Sequence, residues 1–400
     1  MARTKNAEEG TLLTSTADDK YELEIYEVNN KLEIENFVRL HEVLYREDPL
    51  YVLPIRKEFK DNLTSQLIKK EYDRPVIAYN VYLNNRISGR IWLTLFKVKV
   101  GKPGEKMQGV FNFFETIDND SVSKALFNKA EQWFSEQGID YYYGNTNPKD
   151  PDDARGVLIE GFEDAPTVMC IYNKAYYRKH FEQHGFKMNE DLLGYRFTMN
   201  DIPYQRYDVV EKLKKRYDFY VRNANKKNLE SDAKDVLRII DDSISDDWDF
   251  RAPEPDKVYE LLKEWKNFLD FKLIKIAYTN DGRPIGFGMI VPNFNEALQK
   301  IKGHWNIISI LRLLYYKNKI TTYRAMIQMV VIDYQGKGVI NAIYQDYFQD
   351  LKNRKVKMID ASTIPSDNLK SRYAIEKLGG KRYKVFRLYG IDVPLNRNDS

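Results

Sequence analysis

Two glycines stand between a strongly apolar run and the start of an amphipathic helix, late in the chain. The run Met326–Ile332 has the composition of a strand buried on both faces, and it leads into Gln335-Gly336-Lys337-Gly338. Glycine allows close approach to the backbone and unusual φ angles, and a helix beginning near Val339 offers unpaired N–H groups. The segment therefore predicts a cradle for an anion such as a pyrophosphate.

Other phosphate-binding loops differ from this one. The segment lacks the Gly-x-x-x-x-Gly-Lys-Ser/Thr spacing of a P-loop and the third glycine of a dinucleotide-binding fingerprint. It also follows a hairpin late in its half of the chain rather than a first strand. On its own, the spacing fits a tight strand–helix turn without a ligand equally well, so other residues must decide.

Length and composition describe an ordinary globular chain. It has 400 residues, enough for two domains, of which 43% are hydrophobic, 30% charged and 14% aromatic. The net charge of +4 lacks the clustered basic excess of a nucleic-acid binder, so no nucleic-acid partner is predicted. Residues 1–20 are polar and typical of a disordered leader, and no apolar run reaches bilayer length, which predicts a cytoplasmic protein.

The cysteine and the histidines predict no metal site. Cys170 is the only cysteine and lies in an apolar run, where packing is favoured over nucleophilic chemistry. His180 and His184 stand four residues apart on a predicted helix, but no third ligand accompanies them. We therefore expect neither a disulfide nor a bound metal.

The two halves of the chain repeat one order of elements: strand, helix, hairpin, strand, helix, strand, helix, strand. The pattern predicts an α/β protein (α+β, with a mixed sheet), divided near Asn200 into domains at 21–199 and 200–395. The second hairpin turns at Asn280-Asp281-Gly282, a strong turn signal. Helices are expected near 31–45, 121–137, 228–243 and 338–353. Hairpins are expected at 76–93 and 273–291, and further strands near 110–114, 141–144, 326–332 and 357–360.

Residues 330–340, Val-Val-Ile-Asp-Tyr-Gln-Gly-Lys-Gly-Val-Ile, resemble motif A of the GNAT N-acyltransferase superfamily, and Asn368 with Glu376–Gly380 resembles its motif B. The resemblance implies tandem GNAT-like domains. It also implies an acyl-CoA co-substrate, acetyl-CoA or a longer chain, whose pyrophosphate and pantetheine arm bind the loop and the splayed strand before it. The implied cofactor-binding residues are Val330, Val331, Ile332, Gln335, Gly336, Lys337, Gly338, Val339 and Asn368.

A two-domain bacterial subgroup of the superfamily resembles nearly all of residues 20–395. The shared pattern includes Asp247-Trp-Asp-Phe250 and the closing segment from Asp367 to Tyr389. Bacterial ceramide synthases, which N-acylate a long-chain base, are similar to this subgroup. The resemblance implies acyl transfer from acyl-CoA or acyl-ACP to a lipid-like or long-chain amine. Two alternatives stay open: acetylation of a small amine or peptide, and a non-catalytic regulator that binds CoA or lipid.

Some positions depart from the superfamily pattern. Asp333 stands where motif A often has Gln or Arg, and Ile375 stands where many members have a general-acid tyrosine. Tyr373 is near in sequence but on a different helix face. In the first half, Glu115–Asp120 carries three acids where the glycine loop would be, and acids repel a pyrophosphate. The first domain is therefore expected to be a degenerate copy that shapes the acceptor cleft.

Acyl transfer to an amine needs a base, an oxyanion donor and a proton source for the leaving thiolate. Asp360 ends the strand that should flank the thioester and is the candidate base, with a satisfied strand-end carboxylate as the alternative. Backbone N–H groups near Val330 or Val331 are the candidate oxyanion donors. Tyr373 and Tyr383 are the candidate acids, with packing as the alternative for both.

An insertion at 294–324 occurs only in the second half. One interpretation is a helix packed between the domains. The other is a wall for a long acyl chain, with Trp305, Ile308 and Leu311 as substrate-binding residues, or an interfacial helix facing lipid. The last alternative predicts peripheral contact with the inner membrane. No oligomeric state is predicted.

Overall fold

The computed structural model describes residues 12–18, 21–71, 74–99, 105–146, 155–201, 207–243, 263, 269–352 and 354–394. Its strands form one sheet of fourteen members in the order β1-β2-β3-β4-β5-β6-β14-β8-β13-β12-β11-β10-β9, with β7 paired to β14 beside this path. The predicted α/β class with a mixed sheet is confirmed.

Eight strands and four helices are described in the first half. The strands are β1 Leu12–Asp18, β2 Tyr21–Glu27, β3 Val76–Leu83, β4 Arg86–Lys99, β5 Glu105–Thr116, β6 Tyr141–Gly144, β7 Val157–Glu160 and β8 Lys187–Phe197. The helices are α1 Lys31–Leu44, α2 Arg56–Leu63, α3 Asp120–Glu136 and α4 Tyr177–His184, and a π-helical turn at Thr64–Ile68 continues α2.

The second half supplies six strands and six described helices. The strands are β9 Phe219–Asn223, β10 Ile274–Thr279, β11 Pro284–Pro292, β12 Thr322–Val330, β13 Met358–Pro365 and β14 Lys381–Asp392. The helices are α5 Tyr207–Arg216, α6 Leu229–Ser243, α7 Asn295–Leu298, α8 Ile307–Lys317, α9 Val339–Leu351 and α10 Leu369–Lys377. Single 3-10 turns lie at Lys226–Asn228, Phe271–Leu273 and Ile332–Tyr334.

Helices cover both faces of the first-half sheet, because successive side chains of a strand point to opposite sides. On β3, Tyr79 and Val81 pack into the cluster that contains α3, whereas Ala78 packs into the cluster that contains α1. Asn80 is also on the α1 side, where its amide donates to the Glu33 carboxylate at 2.9 Å. Both faces are therefore buried, as the apolar strands predict.

The internal repeat is visible in the register of the two parallel strand pairs. β5 pairs with β6 only from Gly109 to Phe111, and β12 pairs with β13 only from Thr322 to Arg324. Beyond these points the partners diverge. In both copies the long strand carries a bulge two residues further along, at Phe113 and at Met326. The two halves thus share one local geometry despite their different side chains.

The halves exchange their last strands. β8 belongs to the first half in sequence but lies between β14 and β13, and β14 of the second half lies between β6 and β8. β7 and β8 pair only with strands of the second half. The boundary near Asn200 therefore divides the chain but does not divide the sheet, a feature that the repeat in the sequence does not reveal.

Two expectations fall partly outside the described residues. A disordered leader was predicted at 1–20, but Leu12–Asp18 form a strand antiparallel to β2, so that part of the prediction is wrong. Residues 1–11 and 19–20 lie outside the described part. The segment Asp247-Trp-Asp-Phe250 also lies outside it, as does residue 395 at the predicted end of the second domain.

The exchange predicts that neither half folds alone. Residues 1–200 by themselves would leave β7 and β8 without sheet partners and expose the edge of β6, and unpaired edges promote aggregation. We expect each half expressed alone to aggregate or to lack cooperative thermal unfolding, and the two halves co-expressed to copurify. Circular dichroism melts of the purified species test this. A second half that unfolds cooperatively on its own would contradict it.

Candidate active site

The glycine loop follows β12 through the 3-10 turn Ile332–Tyr334 and ends at the start of α9. Gly336 and Gly338 have φ of +77° and +87°, in the left-handed region that favours glycine. Among the described residues, no backbone acceptor faces the amides of Gly336, Gly338, Val339, Ile340 and Asn341. These N–H groups at a helix N-terminus are the donors of the predicted anion cradle, and anion binding by them stays a prediction.

The loop is open on one side and packed on the other. A side chain at Gly336 would meet nothing within 4 Å, whereas one at Gly338 would lie 2.6 Å from Leu213 of α5. The Gln335 amide donates to the Val330 carbonyl at 3.3 Å, and Lys370 of α10 donates to the Gln335 side chain at 3.4 Å. Gly336 is therefore the position at which a ligand can come nearest to the backbone.

The acid of the loop is neutralised by a neighbour. Asp333 accepts two hydrogen bonds from Arg283, at 2.8 and 3.0 Å. These hydrogen bonds lower the pKa of Asp333, so it stays ionised and paired. The departure of Asp333 from motif A thus leaves no unpaired negative charge facing the cradle.

The strand that leads to the loop has an open edge. Beyond Arg324, β12 keeps its pairing with β11 but loses β13. Val331 donates its N–H to the Ile285 carbonyl at 3.0 Å, so it is not available as an oxyanion donor and that part of the prediction is wrong. Because backbone groups alternate along a strand, the N–H groups of Val330 and Gln328 point to the open side.

Asp360 lies at the point where β12 and β13 separate. Its side chain is 0% exposed. One carboxylate oxygen accepts the Ser362 N–H at 3.1 Å, and the other accepts the Ser362 hydroxyl at 2.9 Å and the Tyr383 hydroxyl. The Arg324 guanidinium is 3.8 Å away. The buried carboxylate is therefore surrounded by hydrogen-bond donors, but it has no direct access to a solvent-borne substrate.

Tyr383 reaches Asp360 across an intervening strand. Tyr383 lies on β14 and Asp360 on β13, with β8 between them. The residue of β8 at the crossing is Gly194, where an added Cβ would meet the Ser362 hydroxyl at 2.6 Å and the Tyr383 ring at 3.4 Å. The contact thus depends on a missing side chain. Burial, and then the charge of Asp360, raise the pKa of Tyr383 well above its usual value, so the phenol is neutral.

The structure separates the two candidate acids. Tyr383 is only partly buried and bonded to Asp360, whereas Tyr373 is 61% exposed with the Lys377 ammonium over its ring. Ile375, in the usual tyrosine position, packs in the core of the second half. The tyrosine joined to Asp360 therefore comes from the last strand and not from the motif B helix.

Asn368 caps that helix. Its side chain accepts the Ser371 N–H at 3.0 Å, which satisfies one of the free donors at the start of α10. This structural role accounts for the motif B asparagine without a ligand, so a direct contact with the cofactor stays a prediction.

Two residues near Asp360, Arg324 and Lys384, are not predicted from the sequence as part of the site. Arg324 donates to the carbonyls of Ser362, at 2.9 Å, and of Val168 in the first half. Lys384 is buried and donates to the carbonyls of Gly161 and Asp164 at 2.6 and 2.7 Å, and burial lowers its pKa. These two cations fix the first-half loop 161–168 over the site, which no local sequence pattern reveals.

The single cysteine also lies near Asp360 and Arg324. Cys170 is half-buried against an apolar cluster of β7, β8 and β14. Burial raises the pKa of the Cys170 thiol, so it is not a thiolate at neutral pH. The predicted preference for packing over nucleophilic chemistry agrees with this environment.

In the first copy, the chain itself fills the space beside the divergent strand. The buried Glu115 accepts the hydroxyls of Tyr45, at 2.9 Å, and of Tyr177, and the Tyr45 ring stacks on Tyr51 at 3.7 Å. Burial raises the pKa of Glu115. Glu115 is therefore an internal hydrogen-bond acceptor rather than a loop residue, and the helix is capped by Asn119 instead of an acid.

The insertion consists of two parts. Residues 295–304 pack on the first half: Gln299 donates to the Pro49 carbonyl at 3.0 Å, and Arg56 donates its N–H to Gly303 at 3.0 Å. The helix α8 projects beyond them. The interpretation of a helix packed between the domains therefore fits the first part and is wrong for α8, whose predicted substrate residues Trp305, Ile308 and Leu311 are exposed.

The fold and the loop together define a tandem GNAT architecture. No protein-family model matches the chain. Protein YghO of Escherichia coli (strain K12) is 24% identical over 378 residues, which cover 90% of this chain and 93% of that protein. Bacterial ceramide synthase of Caulobacter vibrioides is 22% identical over 378 residues, which cover 92% of this chain and 97% of that protein.

Solved structures share the fold. The tandem GNAT protein from the clavulanic acid biosynthesis pathway covers 93% of this chain and 99% of its own, with a TM-score of 0.52 and 10% identity. The match to a structure with a glucosamine N-acetyltransferase region, from a fungal multi-domain enzyme, has a TM-score of 0.55 and 13% identity. It covers 92% of this chain and 38% of the fungal chain.

These likenesses confirm the tandem GNAT fold and the predicted resemblance to bacterial ceramide synthase. They support the assignment of the chain as a GNAT-type N-acyltransferase. Among the described residues, no group of His, Cys, Asp and Glu is placed to hold a metal ion.

Replacing Gly336 by Val tests the cradle. The Cβ branch would stand in open space where an anion approaches, so we expect acyl-CoA affinity in calorimetric titration to fall by ~100-fold or more. The control is Gly282→Val, because Gly282 also has positive φ and nothing within 4 Å but lies in a hairpin turn. Wild-type protein should bind one acyl-CoA per chain.

Equal affinities of the Gly336→Val and Gly282→Val variants would contradict the assignment of the cradle. A stoichiometry of two would show that the first copy also binds CoA.

Proposed function

We propose that this chain transfers an acyl group from acyl-CoA (or acyl-ACP) to the amine of a lipid-like, long-chain acceptor. The observation that carries the proposal is the placement of an anion cradle and a hydrogen-bonded Asp360–Tyr383 pair at opposite ends of the open edge of β12. Six residues, Ala325–Val330, separate them, about 20 Å of extended chain. That length suits an extended pantetheine arm with the thioester beside Asp360.

The acceptor class rests on the relatives. The relative from Caulobacter vibrioides is named a ceramide synthase, and its likeness extends over 92% of this chain. A site that acts on a sphingoid base must accept a primary amine on a long apolar chain. The apolar surfaces of the insertion, close to the loop 161–168, are consistent with such an acceptor.

Tyr383 and Asp360 form a proton relay in this proposal. Asp360 is too buried to touch the amine, whereas the Tyr383 hydroxyl is bonded to it and only partly buried. As the amine nitrogen bonds to the thioester carbon, its proton passes to the Tyr383 oxygen while the Tyr383 proton passes to Asp360. When the C–S bond breaks, the same path returns a proton to the leaving thiolate.

The oxyanion is stabilised by backbone donors in this mechanism. The N–H groups on the open side of β12, between the bulge at Met326 and Val330, have no strand opposite them. Fixed amide donors beside the thioester stabilise the negative charge that develops on the carbonyl oxygen. The bulge at Met326 lies two residues beyond Arg324, the last residue of β12 that pairs with β13, so these donors begin near the end of the strand pair that contains Asp360.

The relay predicts separate effects of three conservative substitutions. Asp360→Asn and Tyr383→Phe should each lower kcat by ~100-fold or more, measured as free thiol release, with little change in acyl-CoA affinity. Tyr373→Phe is the matched control, because that tyrosine is exposed and lies on the motif B helix. Asn is preferred to Ala at 360 because it retains hydrogen bonds near the buried Arg324.

Wild-type rates in the Tyr383→Phe variant would exclude the relay. A loss of kcat with Tyr373→Phe instead would return the role to the motif B helix.

The substrate class is tested by a screen of acyl-CoAs of graded length against sphingoid bases, small amines and peptides. We expect long-chain bases to give a kcat/KM higher by ~100-fold or more than small amines, because each buried methylene adds ~0.8 kcal/mol. A preference for acetyl-CoA and small amines would replace this proposal with the acetyltransferase alternative. CoA binding without turnover would replace it with the regulator.

We also propose a cytoplasmic enzyme that works at the surface of the inner membrane. The physical basis for membrane contact is the exposed helix α8.

A further inference from the structure

The helix α8 carries a large apolar surface that the other described residues leave uncovered. Ser309 is its only buried residue, and Ile307, Ile308 and Leu311 are 78%, 63% and 62% exposed. We call the exposed apolar residues the α8 face: Trp305, Ile307, Ile308, Ile310, Leu311, Leu314 and Tyr315. Contiguous exposure on this scale marks a contact surface, since solitary exposed apolar residues are ordinary but a continuous patch is not.

The α8 face is presented on a rigid base. Asn306 caps the helix by accepting the Ser309 N–H at 2.9 Å. The segment before it is hydrogen-bonded to the first half through Gln299 and Gly303, and through Asn295, which donates to the Pro166 carbonyl at 3.0 Å. The helix therefore stands out from the surface in a fixed position rather than on a loose loop.

Positive charge surrounds the α8 face. No aspartate or glutamate occurs between Glu296 and Asp333. Within that interval Arg324 is buried, and the other cations lie before, on and after the helix: Lys300, Lys302, Arg312, Lys317 and Lys319. An apolar face with a cationic border is electrostatically complementary to an anionic lipid surface.

We propose that the α8 face inserts into the interface of an anionic lipid bilayer. Eleven residues extend ~17 Å, about half of a hydrocarbon core, so the helix lies in the plane of the interface. Trp305 precedes the helix and Tyr315 and Tyr316 are near its end, as expected of residues at the headgroup level. The border is mainly Lys, which is depleted in protein–protein interfaces. None of the described helices is long and apolar enough to cross a bilayer.

The docked orientation connects the membrane to the site. Asn293, at the base of the insertion, accepts the Val168 N–H at 2.8 Å, and the Val168 carbonyl accepts from Arg324, which lies beside Asp360. The adjacent Met169 is exposed. These contacts join the loop 161–172 to the base of the insertion that carries α8. If the proposed acyl transfer holds, a membrane-resident amine reaches Asp360 and Tyr383 along this loop; the docking itself does not rest on it.

Cosedimentation of the full chain with vesicles tests the docking directly. Vesicles are made of phosphatidylcholine alone or of equal parts of phosphatidylcholine and phosphatidylglycerol. We expect binding to the anionic vesicles, weakened by salt, and at least ~10-fold weaker binding to the neutral ones. Ile308→Asp with Leu311→Asp should lower partition into anionic vesicles by ~100-fold or more.

The matched control is Val43→Asp, an exposed aliphatic residue on α1 of the first half. Thermal unfolding verifies that all variants fold, and since the substituted side chains are exposed we expect unchanged melting temperatures. Binding to vesicles that is equal for wild type and the Ile308→Asp, Leu311→Asp variant overturns the proposal. So does a dimer in light scattering that the double substitution dissociates, because the face would then be covered by a second copy.

Discussion

The pairing of β14 with both β6 and β8 holds the two halves together, and the candidate site depends on it. Nine backbone register positions join β14 to β8, and four join it to β6. This one strand closes the sheet between the two GNAT-like copies and carries Tyr383 and Lys384. Without it, Asp360 would lose the Tyr383 hydroxyl, and the loop around Gly161 would lose the buried Lys384 ammonium.

The two copies share one backbone geometry, but the space beside the divergent strand is filled in the first copy and open in the second. In each, a parallel pair ends after three residues and a bulge follows. In the first copy, the tyrosines around Glu115 occupy the adjoining space, and their hydroxyls stabilise the buried carboxyl together with the Arg90 guanidinium, 3.9 Å away. In the second copy the edge stays open and the glycine loop follows. The two copies therefore differ in the side chains beside the strand, which fill the space in the first copy and leave it open in the second.

The local elements could be predicted from the sequence, and the long-range contacts could not. Helical periodicity located α1 and α6, and the turn at Asn280-Asp281-Gly282 located the second hairpin, because these signals involve neighbouring residues. The strand exchange left no local signal, since both halves keep the same order of elements. The partnership of Tyr383 with Asp360 was hidden for the same reason: it depends on the absent side chain of Gly194 in a third strand.

The α8 face shows a different limit. Ile307, Ile308, Leu311, Leu314 and Tyr315 recur at helical spacing and lie on one face, but periodicity cannot tell whether an apolar face is turned inward or outward. Similarly, Val331 was a reasonable oxyanion donor from its place in motif A, and only the strand register showed that its N–H belongs to Ile285.

The exchange of strands also sets an order of events during synthesis. β14, at Lys381–Asp392, follows every other described strand and helix in the sequence, so it leaves the ribosome after all of them. Until then β6 has an open edge, β7 has no partner, and β8 has only β13 beside it, an arrangement that invites pairing with other chains. A nascent chain therefore remains both aggregation-prone and without Tyr383 until β14 has emerged, and termination before Lys381 would release a chain with the glycine loop intact but no closed sheet.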